Sequence, residues 1–215
     1  AIFYLADYVM QINTMVLLAF LFIPLIIGVP ITTLIRARIG VVQTQQLLLV
    51  IAGVGLVLIT LVPPALIPVC IALAGFGLSG PQTLTNVLFA QVADEDELRS
   101  GVRREGAFFG INALITKPAQ SIALALTPFI LERTNFVTRV SNAGEIFLDQ
   151  PASALFGIKA IAGLIPGAAL LLGALILFLY PLRGDYLKRV QEQVLAMHAE
   201  KHVRLEKQDE AAARR

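Results

Sequence analysis

Charged side chains are scarce in this sequence. Asp, Glu, Lys and Arg make up 15% of its 215 residues, whereas 57% of the residues are hydrophobic. A soluble domain of this size carries about 25% charged and about 45 to 50% apolar residues. The excess of apolar side chains has to be solvated by lipid, and we therefore predict a membrane protein.

Other shortages exclude further classes of protein. The net charge is only +2, and the basic residues are scattered between apolar runs, so we expect no nucleic-acid partner. The single cysteine, Cys70, lies inside an apolar run, which excludes a disulfide framework and favours a small buried side chain. No nucleophile, base and orienting group converge on one helix face, and no metal-ligand set is present. We therefore predict neither an enzyme nor a cofactor.

Five apolar runs are long enough to cross a bilayer, which takes about 20 residues. They cover approximately residues 12–35, 45–62, 65–91, 107–131 and 155–180. Each run can satisfy its backbone in lipid only as a helix. We predict an all-α, polytopic membrane helix bundle over residues 1–182 and an amphipathic tail over 183–215. The opening "AIFYLADY" is too short to cross, and we expect it to be the end of a span in a longer protein.

The distribution of Lys and Arg predicts the orientation, because these residues accumulate in short cytoplasmic loops. One side carries Arg36, Arg38, Arg99, Arg103, Arg104 and the basic tail, and the other carries Arg133 and Arg139, with Lys159 near that edge. We therefore expect loops 36–44 and 92–106 and the tail to be cytoplasmic, with the polar loop 132–154 outside.

The tail reads as a helix with one apolar stripe, formed by Leu187, Val190, Val194 and Met197. Two arrangements remain open: the helix lies on an anionic membrane surface, or it is a solvated helix. His198 and His202 have the spacing of two metal ligands, but no Glu or Cys completes the set. We expect a solvent-exposed pair of histidines.

The segment "GFGLSG", residues 75–80, fits the pattern G-x-G-x-x-G but lies inside a predicted spanning helix. A dinucleotide site would require a strand before it and a helix after it, so that interpretation fails. The small residues instead favour close approach of a neighbouring helix. Pro81 is expected to bend or weaken the helix locally.

Polar residues recur at helical spacing in two of the apolar runs. They are Ser79, Gln82 and Asn86 in the third run, and Asn112, Thr116 and Gln120 in the fourth. Two interpretations remain open. The side chains either hydrogen-bond between helices or line a water-filled cavity.

Lys117 favours the cavity. It lies about ten residues, or about 15 Å, into the fourth run and so near the middle of a hydrocarbon layer about 30 Å thick. A charge at that depth costs at least about 2.5 to 3.5 kcal/mol, so it should face the bundle interior, meet an acidic partner and have a function. None of the five runs contains an acidic residue that could be this partner, so we expect the partner in another part of the protein.

The stretch "DEDELRSGVRREG", residues 94–106, followed by "AFFGINALITKPAQ", resembles the glycoside-pentoside-hexuronide cation symporters, the melibiose permease-like family. There, an acidic cluster after helix ten leads through D-x-x-E, a basic residue and R-x-E to a mid-membrane lysine. The matching positions are Asp94, Glu97, Arg99, Arg103, Glu105 and Lys117. "RARIG" and "PLRGDYLKRVQ" are similar to the family's loop between helices eight and nine and to its tail.

The resemblance implies a major facilitator fold, with helices eight to twelve present and "AIFYLADY" as the end of helix seven. It implies cation-coupled secondary transport of a small-molecule substrate across a prokaryotic inner or plasma membrane, with Na⁺ or H⁺ as coupling cation. A missing amino-terminal half of six helices would supply the main acidic cation ligands. The cavity would be lined by Lys117, Thr116, Asn112, Gln120, Gln82 and Asn86.

The substrate class stays open between a sugar or glycoside and a lysophospholipid or other amphiphile. The pair Thr116-Lys117 is similar in a related branch that carries lysophospholipids, and Gln91 stands where the sugar transporters often have an acidic residue. A non-transporting scaffold or fragment is the competing class.

For the charged stretch itself we predict a cytoplasmic gate. Ion pairs across a partly wet gap are individually modest, about 0 to 1 kcal/mol, and can form and break as the helix ends move. The gate residues are Asp94, Glu97, Arg99, Arg103, Arg104 and Glu105. The alternative is that these charges only fix the topology.

Overall fold

The computed structural model describes residues 1–137 and 149–213, with side chains described up to residue 203 and at residue 206. Within those residues the chain contains helices and no strand. Arg139 and the rest of residues 138–148, in the predicted outer loop 132–154, lie outside the described residues.

The helices follow one another with short connections. In chain order they are α1 (Ile2–Tyr4, continued by a π-helix over Leu5–Met10), α2 (Thr14–Ile39), α3 (Val41–Leu61), α4 (Ile67–Ser100, preceded by a 3₁₀ turn over Pro64–Leu66), α5 (Glu105–Arg133), α6 (Ala152–Lys159, continued by a π-helix over Ala160–Leu164), α7 (Ile165–Ile176, continued by a 3₁₀ turn over Leu177–Leu179) and α8 (Gly184–Ala213).

Among the residues that the structure describes, five helical segments are long and apolar enough to cross a membrane: Thr14–Ile39, Val41–Leu61, Pro64–Ser100, Glu105–Arg133 and Ala152–Leu179. The predicted all-α membrane bundle is confirmed. Helix α4 remains helical through Pro81.

Two connections are shorter than the sequence suggested. Loop 36–44 reduces to Gly40, whose φ of 90° lets the chain turn directly from α2 into α3. Most of loop 92–106 is helical, because α4 runs on to Ser100 and leaves only residues 101–104 between it and α5. An ion pair between Glu95 and Arg99, one helical turn apart, supports this extension.

The chain divides into two compact units, of which the first comprises residues 1–85 and 114–179. Glycines let its helices approach closely. A Cβ at Gly75 would lie 2.1 Å from the Leu21 carbonyl oxygen, and one at Gly77 would lie 2.4 Å from the Ala52 nitrogen. These glycines belong to "GFGLSG", so the predicted close approach is what the structure shows.

Gly75→Ala is therefore expected to destabilise the protein by at least about 1 to 3 kcal/mol, because the helix backbone would have to move away from Leu21. The matched control is Gly173→Ala, since a Cβ there would meet nothing within 4 Å. Thermal stability in detergent, followed by fluorescence-detected size exclusion, measures the difference. Equal stability of the two variants would contradict the proposed contact.

Ser79 shows that part of the polar stripe in α4 joins helices. Its hydroxyl lies 2.8 Å from the hydroxyl of Thr32 on α2, and both residues are fully buried. It also donates to the Phe76 carbonyl at 2.6 Å. For Ser79, the interhelical hydrogen bond is the interpretation that the structure supports.

The second unit comprises residues 86–113 and 180–215. Within it, the apolar stripe of α8 packs against the last turns of α4. Val190, Val194 and the preceding Leu182 are buried and contact Val92 and Leu98 of α4. The stripe is therefore covered by protein, an arrangement that neither the membrane-surface nor the solvated-helix alternative anticipated.

Candidate functional site

The predicted gate residues lie at a sharp corner between α4 and α5, which we call the charged corner (residues 94–105). Helix α4 ends at Ser100, and Gly101 adopts a left-handed conformation with φ of 72°. Its N–H donates to the Glu97 carbonyl at 2.8 Å, as in helix caps that end on glycine. The chain then turns back, so that Arg103 and Arg104 reach the carboxylates of α4.

Glu97 is the centre of the charged corner. Glu97 is 2% exposed, and three side chains donate hydrogen bonds to its carboxylate. Arg103 Nη1 lies 3.3 Å and His198 Nε2 3.1 Å from Oε2, while Lys201 Nζ lies 2.9 Å from Oε1. A buried carboxylate without such partners would be strongly unfavourable, so these contacts determine whether the corner can stay folded.

Arg103 contacts three carboxylates. Besides Glu97, it lies 3.5 Å from Asp94 Oδ1, and its Nε donates to Glu105 Oε1 at 2.9 Å. The hydrogen bond that Arg103 donates to Glu105 raises the pKa of the Arg103 guanidinium, so the group stays charged at every physiological pH. Arg103 therefore joins the end of α4 to the first turn of α5.

Arg104 makes a separate and more exposed pair. Its Nε and Nη2 donate to the two oxygens of Asp96 at 3.0 and 2.7 Å, in the two-pronged geometry that guanidinium and carboxylate groups favour. This hydrogen-bonded carboxylate raises the pKa of Arg104. Arg99, the remaining predicted cation, is largely exposed and pairs with Glu95.

Helix α8 supplies contacts that the sequence analysis missed. Tyr186 donates to Glu95 Oε1 at 2.8 Å, and His198 and Lys201 hold Glu97. The expectation of a solvent-exposed histidine pair is wrong for His198, which is half-buried beside Glu97, whereas His202 is exposed. The sequence does contain a pattern that predicts these contacts, because Val190, Val194, His198 and Lys201 share one helix face. If the valines on that face pack against another helix, the polar residues that follow them are expected to contact the same helix.

A cavity of about 160 Å³ lies on the α4–α5 side of the corner. It is lined by Asn86, Phe89 and Ala93 of α4 and by Glu105, Phe108 and Phe109 of α5. The rings of Phe89 and Phe109 pack with their centroids 5.6 Å apart. Movement of the two helix ends would change this cavity together with the ion pairs.

The predicted cavity residues lie along α4 and α5. Lys117, Thr116, Gln120, Gln82 and Asn86 are exposed and Asn112 is half-buried. Helix α5 is described in full, and Leu131 is its one buried residue. Within the described residues, the ammonium group of Lys117 forms no ion pair. That this group meets an acidic partner in a transport cavity stays a prediction.

Comparison with known proteins gives matches over most of the chain. Residues 1–184 match a family described as MFS/sugar transport protein. An uncharacterized symporter of Synechocystis sp. is 31% identical over 130 residues, which are 60% of this chain and 24% of that protein. A glucuronide carrier protein homolog of Escherichia coli is 26% identical over 144 residues, 62% of this chain and 29% of that protein.

The chain thus spans about a quarter of the length of these curated relatives. No solved structure matches it.

Proposed function

The chain belongs to the MFS/sugar transport protein family, and on that basis we propose that it is the carboxyl-terminal part of a secondary transporter that couples uptake of a sugar or glycoside to Na⁺ or H⁺. It is a multi-pass integral membrane protein of a transporter family and not an enzyme. The amino-terminal half of the transporter would supply the acidic cation ligands.

The observation that carries this proposal is the arrangement of charge along α4 and α5. A dense ionic corner precedes an apolar helix of 29 residues that holds one lysine near its middle. A membrane-depth lysine is expensive unless it takes part in binding or coupling. Lys117 is proposed to face the cavity, with Thr116, Asn112, Gln120, Gln82 and Asn86 as its polar lining.

We place the charged corner, the connection at Gly40 and α8 on the cytoplasmic side, because Arg and Lys accumulate there. In this orientation the corner lies at the cytoplasmic ends of α4 and α5. Its ion pairs join the ends of two helices that have to separate when the cavity opens inward. The corner is therefore proposed to act as the inner gate.

The relatives favour a sugar over a lipid as substrate. One is named a symporter and the other a glucuronide carrier protein homolog. A glucuronide carries a carboxylate, and a cationic Lys117 suits such a group by charge. Lysophospholipid transport and a non-transporting scaffold remain the competing functions.

Counterflow in proteoliposomes tests the proposal. The longest natural reading frame containing this chain is purified, reconstituted and loaded with unlabelled glycoside, and entry of labelled galactoside or glucuronide is followed with and without Na⁺ at several pH values. We expect exchange that depends on one of the two cations and is absent from empty liposomes. Uptake of labelled lysophospholipid alone would favour the lipid alternative, and transport of neither would favour the scaffold.

A further inference from the structure

We propose that α8 is a working part of the gate: His198 and Lys201 keep the buried Glu97 carboxylate paired when Arg103 leaves it, and so allow the corner to open. The inference rests on the proposed gating function of the charged corner. It assigns a role to α8 that neither the family match nor the charge pattern provides.

The two carboxylate oxygens of Glu97 accept hydrogen bonds from two different segments of the chain, which is the first support for the proposal. Oε2 accepts from both Arg103 at 3.3 Å and His198 at 3.1 Å, whereas Oε1 accepts from Lys201 at 2.9 Å. Arg103 belongs to the turn between α4 and α5, but the other two donors belong to α8. Two independent segments therefore compete for, and jointly satisfy, one buried carboxylate.

The packing of α8 against the end of α4 is the second support for the proposal. Val190 and Val194 are buried against the end of α4, and Tyr186 donates to Glu95 at 2.8 Å. Surface ion pairs alone hold a helix weakly. Because the apolar contacts and the Tyr186 hydrogen bond lie on α4 and not on the turn, α8 can stay docked while Arg103 moves.

The burial of Glu97 determines how easily the charged corner can open. If Arg103 were the sole partner of Glu97, separating the helix ends would leave an ionised carboxylate that is 2% exposed without compensation. The corner would then stay closed. With Lys201 and His198 in place, the charge remains paired in the open as well as in the closed arrangement, so α8 lowers the barrier to opening.

The test is a double substitution in the full-length transporter, Lys201→Met together with His198→Leu. We expect the maximal rate of uptake to fall at least tenfold with KM changed less than twofold, because gate opening becomes slow while the cavity is intact. Adding Glu97→Gln removes the buried charge and is expected to restore the rate to within about threefold of wild type. Lys201→Arg, which keeps a cation at the site, should keep most of the rate.

Lys188→Met is the matched control, since Lys188 lies on the same helix, is largely exposed and pairs with Asp185. Its uptake should equal that of wild type. If α8 only stabilises the fold, the effects of the α8 double variant and of Glu97→Gln will simply add. Additive losses, without rescue, would overturn the proposal.

Cysteine labelling separates this inference from the proposed transport function. Ala93 is 1% exposed and lines the cavity beside the corner, so Ala93→Cys in a Cys70→Ala background reports opening through its rate of maleimide modification. We expect the α8 double variant to react at least fivefold more slowly, with recovery on adding Glu97→Gln. This pattern without any transport would reject the transport proposal and keep the inference, whereas unchanged labelling in a protein that transports would reject the inference.

Discussion

Lys117→Ala is expected to abolish cation-coupled uptake, lowering accumulation of substrate against a gradient at least a hundredfold. The reason is its depth, about 15 Å from the nearer end of its apolar run. A protein retains a charge there at a cost of at least about 2.5 to 3.5 kcal/mol. If Lys117 links substrate binding to the coupling cation, removing its ammonium group abolishes the coupling. The same substitution also removes the free-energy cost of holding a charge at that depth.

Stability distinguishes this role from a structural one. A purely structural buried ion pair that loses one partner typically costs about 3 to 5 kcal/mol, because the other charge is left uncompensated. If Lys117 and its acidic partner instead face a wet cavity, water solvates the partner when the lysine is removed, so Lys117→Ala should unfold at the temperature of wild type or above it. Thermal stability in detergent and uptake in proteoliposomes are measured on the same preparations.

Lys159→Ala is the matched control for Lys117→Ala. Lys159 is also a lysine in an apolar helix, but it is predicted near the outer membrane edge, and its Nζ donates to the Val62 carbonyl at 3.3 Å. We expect its uptake to stay within about threefold of wild type. Wild-type accumulation by Lys117→Ala would refute the coupling role.

Much of the fold could be predicted because a long apolar run in lipid has to satisfy its backbone hydrogen bonds internally, which it does by forming a helix. The helix ends were less predictable. Charged residues such as Glu95 and Arg99 mark where the chain leaves the apolar layer, but they do not stop the helix, since they support one another at a spacing of four residues. The sequence therefore predicts a loop over this polar stretch, whereas in the structure α4 continues through it.

The contacts of α8 were beyond reach for a different reason. Glu97 and Lys201 are 104 positions apart in the chain, and no local pattern connects residues at that separation. The stripe of Val190 and Val194 leaves open whether α8 lies on a membrane surface or in solvent, and composition cannot show that α4 covers it. The family resemblance located Glu97 and Arg103, and only the three-dimensional arrangement added His198 and Lys201.

Ser79 and Lys117 show how two polar residues of apolar helices differ. Ser79 is buried and hydrogen-bonded to Thr32, so its stripe is at least partly interhelical contact. Lys117 lies on an exposed part of α5. Periodicity predicts both positions equally well, because it reports the face of a helix and not what that face meets.

Arg103→Ala is expected to reduce uptake at least tenfold while expression and substrate binding persist. The substitution removes the side chain that contacts Asp94, Glu97 and Glu105 together. Glu97 keeps His198 and Lys201, so the corner should remain folded. The end of α4 would nevertheless lose its ionic connection to α5, and the gate would close poorly.

The direction of the labelling change makes this prediction specific. Maleimide modification of Ala93→Cys should become faster in Arg103→Ala, opposite to the slowing expected when His198 and Lys201 of α8 are replaced. Arg103→Lys should recover little of the rate, because a single ammonium group cannot reproduce the fork with which the guanidinium reaches several carboxylates.

Arg104→Ala is the adjacent control for Arg103→Ala. Arg104 is about half exposed and, among the described residues, forms its ion pair with Asp96, and an exposed pair contributes about 0 to 1 kcal/mol. Its loss should change uptake less than threefold. If Arg103→Ala and Arg104→Ala both transport as wild type does, then the basic residues only fix the topology. If only Arg103→Ala fails, the gate is held by the arginine that joins Asp94, Glu97 and Glu105, because the loss of its guanidinium removes the ionic connection between the end of α4 and the first turn of α5.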